Sequence, residues 1–400
     1  MIIPNFKTKT YKMKNRIITL LGLMTIVLSA FVSDGRTNTL KDKNSSLVFV
    51  GTYTDGGKSE GIYLYQMDNS TGALSFTGIS AKTPNPSYLV IHPNKKWLFS
   101  VNELGSKEDK YIGTVSSFSI DLEKKQLNHI NTVLSHGNYP CHISIDKSGK
   151  YVMVANYGNG SIAMYPINKD GSLSEASFVD QHRGKGPNAE RQEGPHAHMI
   201  TQGFDNRFVY NTDLGMDKIM IYKMDDTNGS LTLTNYDASA KPGAGPRHMA
   251  FHDNKNWLYV VNELNGTIEA FMIDKLNGAL TRFQVISTLE AGDTRFPGSA
   301  DIHISPNGQF LYATNRSEIN TIAMFSIHPE SGMLTMLGHR SVKGKTPRNF
   351  VIDPSGKFLL VANQNSNNIV TFQIDPVTAL LKETGLETTV PSPVCLKFME

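Results

Sequence analysis

The chain has 400 residues, of which 39% are hydrophobic, with 33 glycines, two cysteines and a formal net charge of +3. Two cysteines, Cys141 and Cys395, exclude a disulfide scaffold and read as small buried hydrophobes. The first 33 residues hold five basic and no acidic side chains, so the remainder carries a net charge of −2 and has no basic stripe for nucleic acid.

Lys7, Lys9, Lys12, Lys14 and Arg16 precede a 12-residue apolar run, 17–28, which is followed by Ser29 and Ala30. A basic start, a short apolar core and small residues describe a secretory signal peptide over 1–33. The run is shorter than the roughly 20 residues a membrane-spanning helix requires. No cysteine follows it to carry a lipid, so no stable membrane anchor is expected after cleavage. The expected location is outside the cytoplasm, in the periplasm. Met13 begins the part with signal character and is an alternative start. Residues 34–46 read as a linker.

Helical periodicity is nearly absent after residue 40. Val, Ile, Thr, Tyr and Phe alternate with polar residues in short runs broken by Gly, Asn and Asp, which is the pattern of strands. Segments 47–53, 61–67 and 74–80 are the first three. A repeat then begins. A proline is followed sixteen residues later by an asparagine at Pro86/Asn102, Pro140/Asn156, Pro195/Asn211, Pro246/Asn262 and Pro347/Asn363, and Ser299/Asn315 keeps the spacing without the proline. Successive copies start 46 to 55 residues apart, counting the partial copy at Pro393. Each holds an apolar strand, a turn such as His92-Pro93-Asn94, a second strand ending at the asparagine, and two more strands. Four strands at this period predict a β-propeller blade. Segment 393–398 matches a first strand and completes the blade begun by 47–80. The prediction is all-β: one seven-bladed propeller over 47–400, four antiparallel strands per blade, with the C-terminal strand closing the ring.

In such a blade the start of the first strand and the end of the second lie at the same mouth. The recurrent asparagine is a turn device, since its amide bonds local backbone. The positions beside it differ between copies. Seventeen residues after the proline stand Glu103, Tyr157, Thr212, Glu263, Arg316 and Gln364. Early first-strand positions carry His142, His196 and His198, Arg247 and His248, Asp301 and His303, and Arg348 and Asn349. Ionisable groups on rigid strand ends around one mouth predict a site. His92, His252 and His328 fall in turns or at opposite strand ends and are set aside.

Gly243-Ala-Gly-Pro-Arg-His-Met-Ala-Phe-His252 with Trp257-Leu-Tyr-Val-Val-Asn-Glu-Leu264 resembles the seven-bladed propeller lactonases, which include propeller-type 6-phosphogluconolactonases and fungal carboxy-muconate lactonizing enzymes. Asp293-Thr-Arg-Phe296, Ala300-Asp-Ile-His-Ile-Ser-Pro306 and Leu311-Tyr-Ala-Thr-Asn-Arg316 extend the resemblance, which covers about 47–398. It implies hydrolysis of a sugar δ-lactone of the 6-phosphogluconolactone kind. Cyclisation of a carboxy-muconate, or a non-enzymatic scaffold, are the alternatives. In the lactonizing branch a histidine, two arginines and a glutamate act at one mouth. By motif these fall on Arg247, Glu263, Arg316 and one of His196 and His198.

Lactone hydrolysis must activate water, stabilise an oxyanion and protonate the leaving alkoxide. Glu263 is expected to be the general base or to orient a catalytic histidine. As a plain ion-pair partner of Arg247 it would be a poor base. Arg316 and Arg348 suit an anionic substrate, and His142, His248, Asp301 and His303 are further expected substrate contacts. His196-x-His198 is a possible metal-binding pair with His142, His248 or Asp301, but neither metal nor cofactor is expected. Segment 181–194 is polar, carries Arg183, Lys185 and Arg191, and reads as a lid leading into Pro195. Arg295 lies in the next such insertion.

Overall fold

A computed structural model describes residues 44–106 and 112–399, all strand, turn and loop without a helix. The expected signal peptide and most of the linker lie outside the described residues. The first strand, Ser45–Thr52, begins two residues before position 47. No helix among the described residues is long and apolar enough to cross a membrane.

Seven antiparallel sheets form the ring. Blade 1 joins Ser45–Thr52, Gly61–Asp68 and Leu74–Lys82 to the C-terminal strand Pro393–Met399. Blades 2 to 7 begin with the inner strands Leu89–Ile91, Pro140–Ile145, Ala197–Gln202, Pro246–Phe251, Ile302–Ile304 and Pro347–Ile352. Each then runs outward through three more strands in chain order, and blade 4 adds the two-residue Ala238–Ser239. Pro393–Met399 pairs with Ser45–Thr52 and packs against the inner strands of blades 7 and 2, so the ring closes as the split repeat requires.

Aromatic side chains on one blade meet glycine turns on the next. A Cβ on Gly171 would stand 2.4 Å from the Trp97 indole, and one on Gly332 would stand 2.6 Å from the Trp257 indole. Both glycines have positive φ as well, so the turn and the contact demand the same residue. At the mouth far from the strand-start prolines, His92 Nε2 pairs with the Gly149 carbonyl at 2.9 Å and His252 Nε2 with that of Gly308 at 3.0 Å. These histidines fasten neighbouring blades together.

Pairing registers set the expected mouth. Pro140, Pro246 and Pro347 lie directly across from Asn156, Asn262 and Asn363. In four copies the asparagine amide donates to a backbone carbonyl of the preceding inter-blade segment, as Asn156 does to Ser135 and Asn315 to Thr288, both at 2.9 Å. Immediately after each of these three prolines the ladder carries a bulge. Cys141, Arg247 and Arg348 are the extra residues, and Val394 holds the same place in the closing strand. A bulge breaks strand alternation and re-aims a side chain. In blade 4 the bulge falls at His198.

Candidate active site

Glu263 stands at the end of the second strand of blade 5 and gathers three guanidinium groups. Arg247 Nε donates to its Oε2 at 2.9 Å, Arg316 Nη2 reaches the same oxygen at 2.8 Å, and Arg191 Nη2 donates to Oε1 at 2.6 Å. Arg247 comes from the bulge of the same blade, Arg316 from blade 6 and Arg191 from the lid segment. Burial alone would raise the Glu263 pKa, but Arg316, Arg247 and Arg191 together outweigh it and hold the carboxyl down at about 2. Backbone carbonyls fix the two deeper arginines: Arg247 Nη1 donates to Ala300 O and Arg316 Nε to Gly298 O, both at 2.6 Å. Burial, opposed by Glu263, lowers the Arg316 pKa to about 10.

Arg348 Nη2 lies 3.6 Å from Glu103 Oε1, and its guanidinium sits over the Tyr53 ring at 5.3 Å. Tyr53 in turn donates to Glu103 Oε2 at 2.8 Å.

Both expected histidines of blade 4 meet Tyr157. The His196 ring stacks on it at 4.5 Å and His198 approaches edge-on at 5.7 Å. His196 Nδ1 donates to the Tyr157 carbonyl at 2.8 Å, and its Nε2 lies 3.3 Å from Glu193 Oε1. Burial, then the neighbouring charges of Arg247, His248, Arg348 and Arg316, push the His198 pKa well below the usual range, so the ring is neutral. Cys141 Sγ lies 3.8 Å from His198 Nδ1, and burial raises the thiol pKa. Both cysteines are free and buried.

Beneath these groups a ring of side chains occupies the second position after each blade's proline. Tyr88, His142 and His248 pack with centroid separations of 4.4 to 5.9 Å. His248 Nδ1 donates to Asp301 Oδ1 at 2.8 Å, and Asn349 donates to Asp301 Oδ2 at 2.5 Å. His303 Nε2 and the Phe350 and Ile302 amides also reach this carboxylate. Desolvation would raise the Asp301 pKa, but the surrounding donors hold it well down. Burial drives the His248 pKa down to about 4 and also depresses that of His142.

Arg247, Glu263, Arg316, His196 and His198 therefore converge at one mouth, with Arg348 at the inner-strand start of blade 7. His142, His248 and Asp301 lie one layer deeper. His303 bonds Asp301 Oδ2 at 3.0 Å and also lines a pocket with His252, Asn254 and Gly308 at the other end of the inner strands. Among the described residues no histidine bonds Glu263, and three cations hold its proton affinity low. Arg295 pairs locally with Asp293 at 2.6 Å. Among the described residues no group of three or more His, Cys, Asp or Glu side chains is arranged to hold a metal ion. Tyr53 and Tyr88 were missed. Tyr88 shares the repeat phase of His142 and His248, a signal that could have found it.

The family described as lactonase, 7-bladed beta-propeller, matches residues 47–398. The chain belongs to this family. It is 37% identical to a 6-phosphogluconolactonase of Bacillus subtilis over 88% of its own length and 97% of the relative's. Identity to a 6-phosphogluconolactonase of Formosa agariphila is also 37%, over 86% and 96%. Among solved structures, the periplasmic gluconolactonase PpgL of Pseudomonas aeruginosa superposes with a TM-score of 0.83 at 34% identity, covering 89% of this chain and 99% of that one.

Proposed function

We propose that this lactonase-family chain hydrolyses a sugar δ-lactone at the arginine-lined mouth. The observation that carries the reading is the convergence of Arg191, Arg247 and Arg316 on the single carboxylate of Glu263, beside a neutral His198. When water adds to a lactone carbonyl, negative charge builds on the oxygen. Guanidinium groups held in place beforehand stabilise that charge without reorganising as it forms. Glu263 is their anchor. A carboxylate at a pKa of about 2 is a weak base, so the proton of the attacking water goes to an imidazole. Burial, with the charges of Arg247, His248, Arg348 and Arg316, keeps the His198 ring neutral and its nitrogen free to accept. The protonated ring can then supply the proton that the ring-opening alkoxide requires.

The anchored arginines and buried imidazole favour chemistry over a scaffold role. The kinship with 6-phosphogluconolactonases and a gluconolactonase favours hydrolysis over muconate cyclisation. We further read 1–33 as an export signal and 47–400 as the mature propeller, working in the periplasm. The likeness to a periplasmic gluconolactonase supports this location.

The test is acid release from glucono-δ-lactone and its 6-phosphate. His198→Asn should lower kcat by roughly 10²–10⁴, the contribution of a positioned acid–base group. Undiminished turnover by a folded His198→Asn enzyme would remove that role. Cyclisation of 3-carboxy-cis,cis-muconate with no lactone turnover would replace the hydrolytic reading.

A further inference from the structure

We infer that Arg191, carried by the lid segment, reads the charge of the substrate's substituent and selects a phosphorylated lactone over a neutral one. This inference rests on the lactonase reading above.

The arginines at the mouth are not equivalent. Arg247 and Arg316 each spend one nitrogen on Glu263 and another on a backbone carbonyl, and their side chains are 2% and 14% exposed. Arg191 is 34% exposed. Only its Nη2 is engaged, by Glu263 Oε1 at 2.6 Å and the Tyr157 hydroxyl at 3.3 Å. Among the described residues Nε and Nη1 have no partner. An open guanidinium edge at a site entrance is a receptor for a bidentate anion.

The segment behind Arg191 is built rather than loose. Gln192 is fully buried. Its Nε2 donates to Leu214 O and to Asp217 Oδ1, both at 2.8 Å. Asn188 accepts the Arg191 and Gln192 amides, and the Gly186 amide donates to Gln192 O at 3.0 Å. The Arg191 backbone is thus fixed before any ligand arrives, which is what a recognition residue requires.

The charge count favours an anion. Arg191, Arg247, Arg316 and Arg348 bring four positive charges against the three negative charges of Glu103, Glu193 and Glu263. The positive excess suits an anionic substituent such as a phosphate monoester, which carries about −1.5 to −2 at neutral pH. Deep arginines facing the carbonyl and an outer arginine facing the substituent would orient the lactone with its reacting end inward. Exposed Arg183 and Lys185 on the same segment add to the attraction at the entrance.

The experiment compares kcat/KM for 6-phosphoglucono-δ-lactone and glucono-δ-lactone in wild type, Arg191→Gln and Arg191→Lys. Wild type should prefer the phosphorylated lactone. Arg191→Gln should shrink that preference roughly 10- to 100-fold, the scale of hydrogen bonds to a charged group, mainly through KM. Arg191→Lys keeps the charge without the fork and should fall between them. The thermal melt of each variant, compared with wild type, reports that it is folded. Equal losses on both substrates, or a wild type that prefers neither, would overturn the inference. A wild type inactive on every lactone would instead overturn the lactonase reading.

Discussion

Arg247 Nε donates to Glu263 Oε2 over 2.9 Å, although sixteen residues separate the two in the chain. Pro246 and Asn262 face each other across the first hairpin of blade 5, and each is followed by one of the pair. The bulge after Pro246 turns Arg247 toward the carboxylate. The hairpin thus builds a guanidinium anchor out of two strand ends, and neighbouring segments add Arg316 and Arg191.

Removing the anchor should show in stability as well as rate. Glu263→Gln leaves Arg247 and Arg316 buried without their counter-charge, a change that typically costs about 3–5 kcal/mol. We expect a clearly lower Tm together with a fall in kcat/KM of at least about 10², as for a lost oxyanion donor. If Glu263 were only a general base, kcat would collapse while Tm stayed near wild type. Thermal melts and steady-state kinetics on the same preparation separate the two.

Ring closure makes its own demand. Val394, Cys395 and Leu396 are at most 1% exposed, and each apolar side chain of this kind contributes about 1.5–3 kcal/mol on burial. Truncation after residue 390 should expose the edge of Ser45–Thr52 and yield aggregated or uncooperatively melting protein by light scattering and calorimetry. An unchanged cooperative melt would contradict closure by the C-terminal strand.

Acid should destabilise the fold in two stages. His248 titrates at about 4 in the folded chain and near 6.5 unfolded, and burial depresses His142 and His198 as well. Below 6.5 the unfolded chain binds these protons first, so Tm should fall as pH drops from 6.5 toward 4. Glu263, at about 2 rather than 4.5, has the same sign and extends the loss from 4.5 downward. A Tm series from pH 8 to 3 tests this, and a flat profile between 6.5 and 4 would contradict it.

Gly215 supports the mouth by close approach. A Cβ there would stand 1.9 Å from Gly194 O and 2.9 Å from His196 Cδ2. Gly215→Ala must push the end of the lid segment and His196 aside. We expect a loss of about 1–3 kcal/mol, the usual scale of overpacking, together with reduced kcat/KM. Wild-type kinetics in this variant would show that the His196 position is immaterial.

The fold was legible because repetition made it so. One proline-to-asparagine spacing, repeated around the chain, set blade number, strand polarity and closure. The same phase exposed Glu263, Arg316 and Arg348 at the mouth and His142, His248 and Asp301 below it. What escaped depends on details outside that phase. The bulges at Cys141, Arg247 and Arg348 add a residue to one strand without changing the spacing to the asparagine. Arg191 reaches Glu263 along a loop path that the repeat spacing does not specify. Tyr88 was passed over because an aromatic on an inner strand reads as packing. His303 follows Asp301 by two and bonds its carboxylate from the side of the strand's far end.

The most direct measurement of the central claim is acid release by the purified protein at constant pH, with 6-phosphoglucono-δ-lactone as substrate and Arg247→Ala beside it. The account predicts hydrolysis well above the spontaneous rate and a loss of roughly 10²–10³ in the variant, as for a missing oxyanion donor. No acceleration by wild type, or full activity in a folded Arg247→Ala protein, would contradict it.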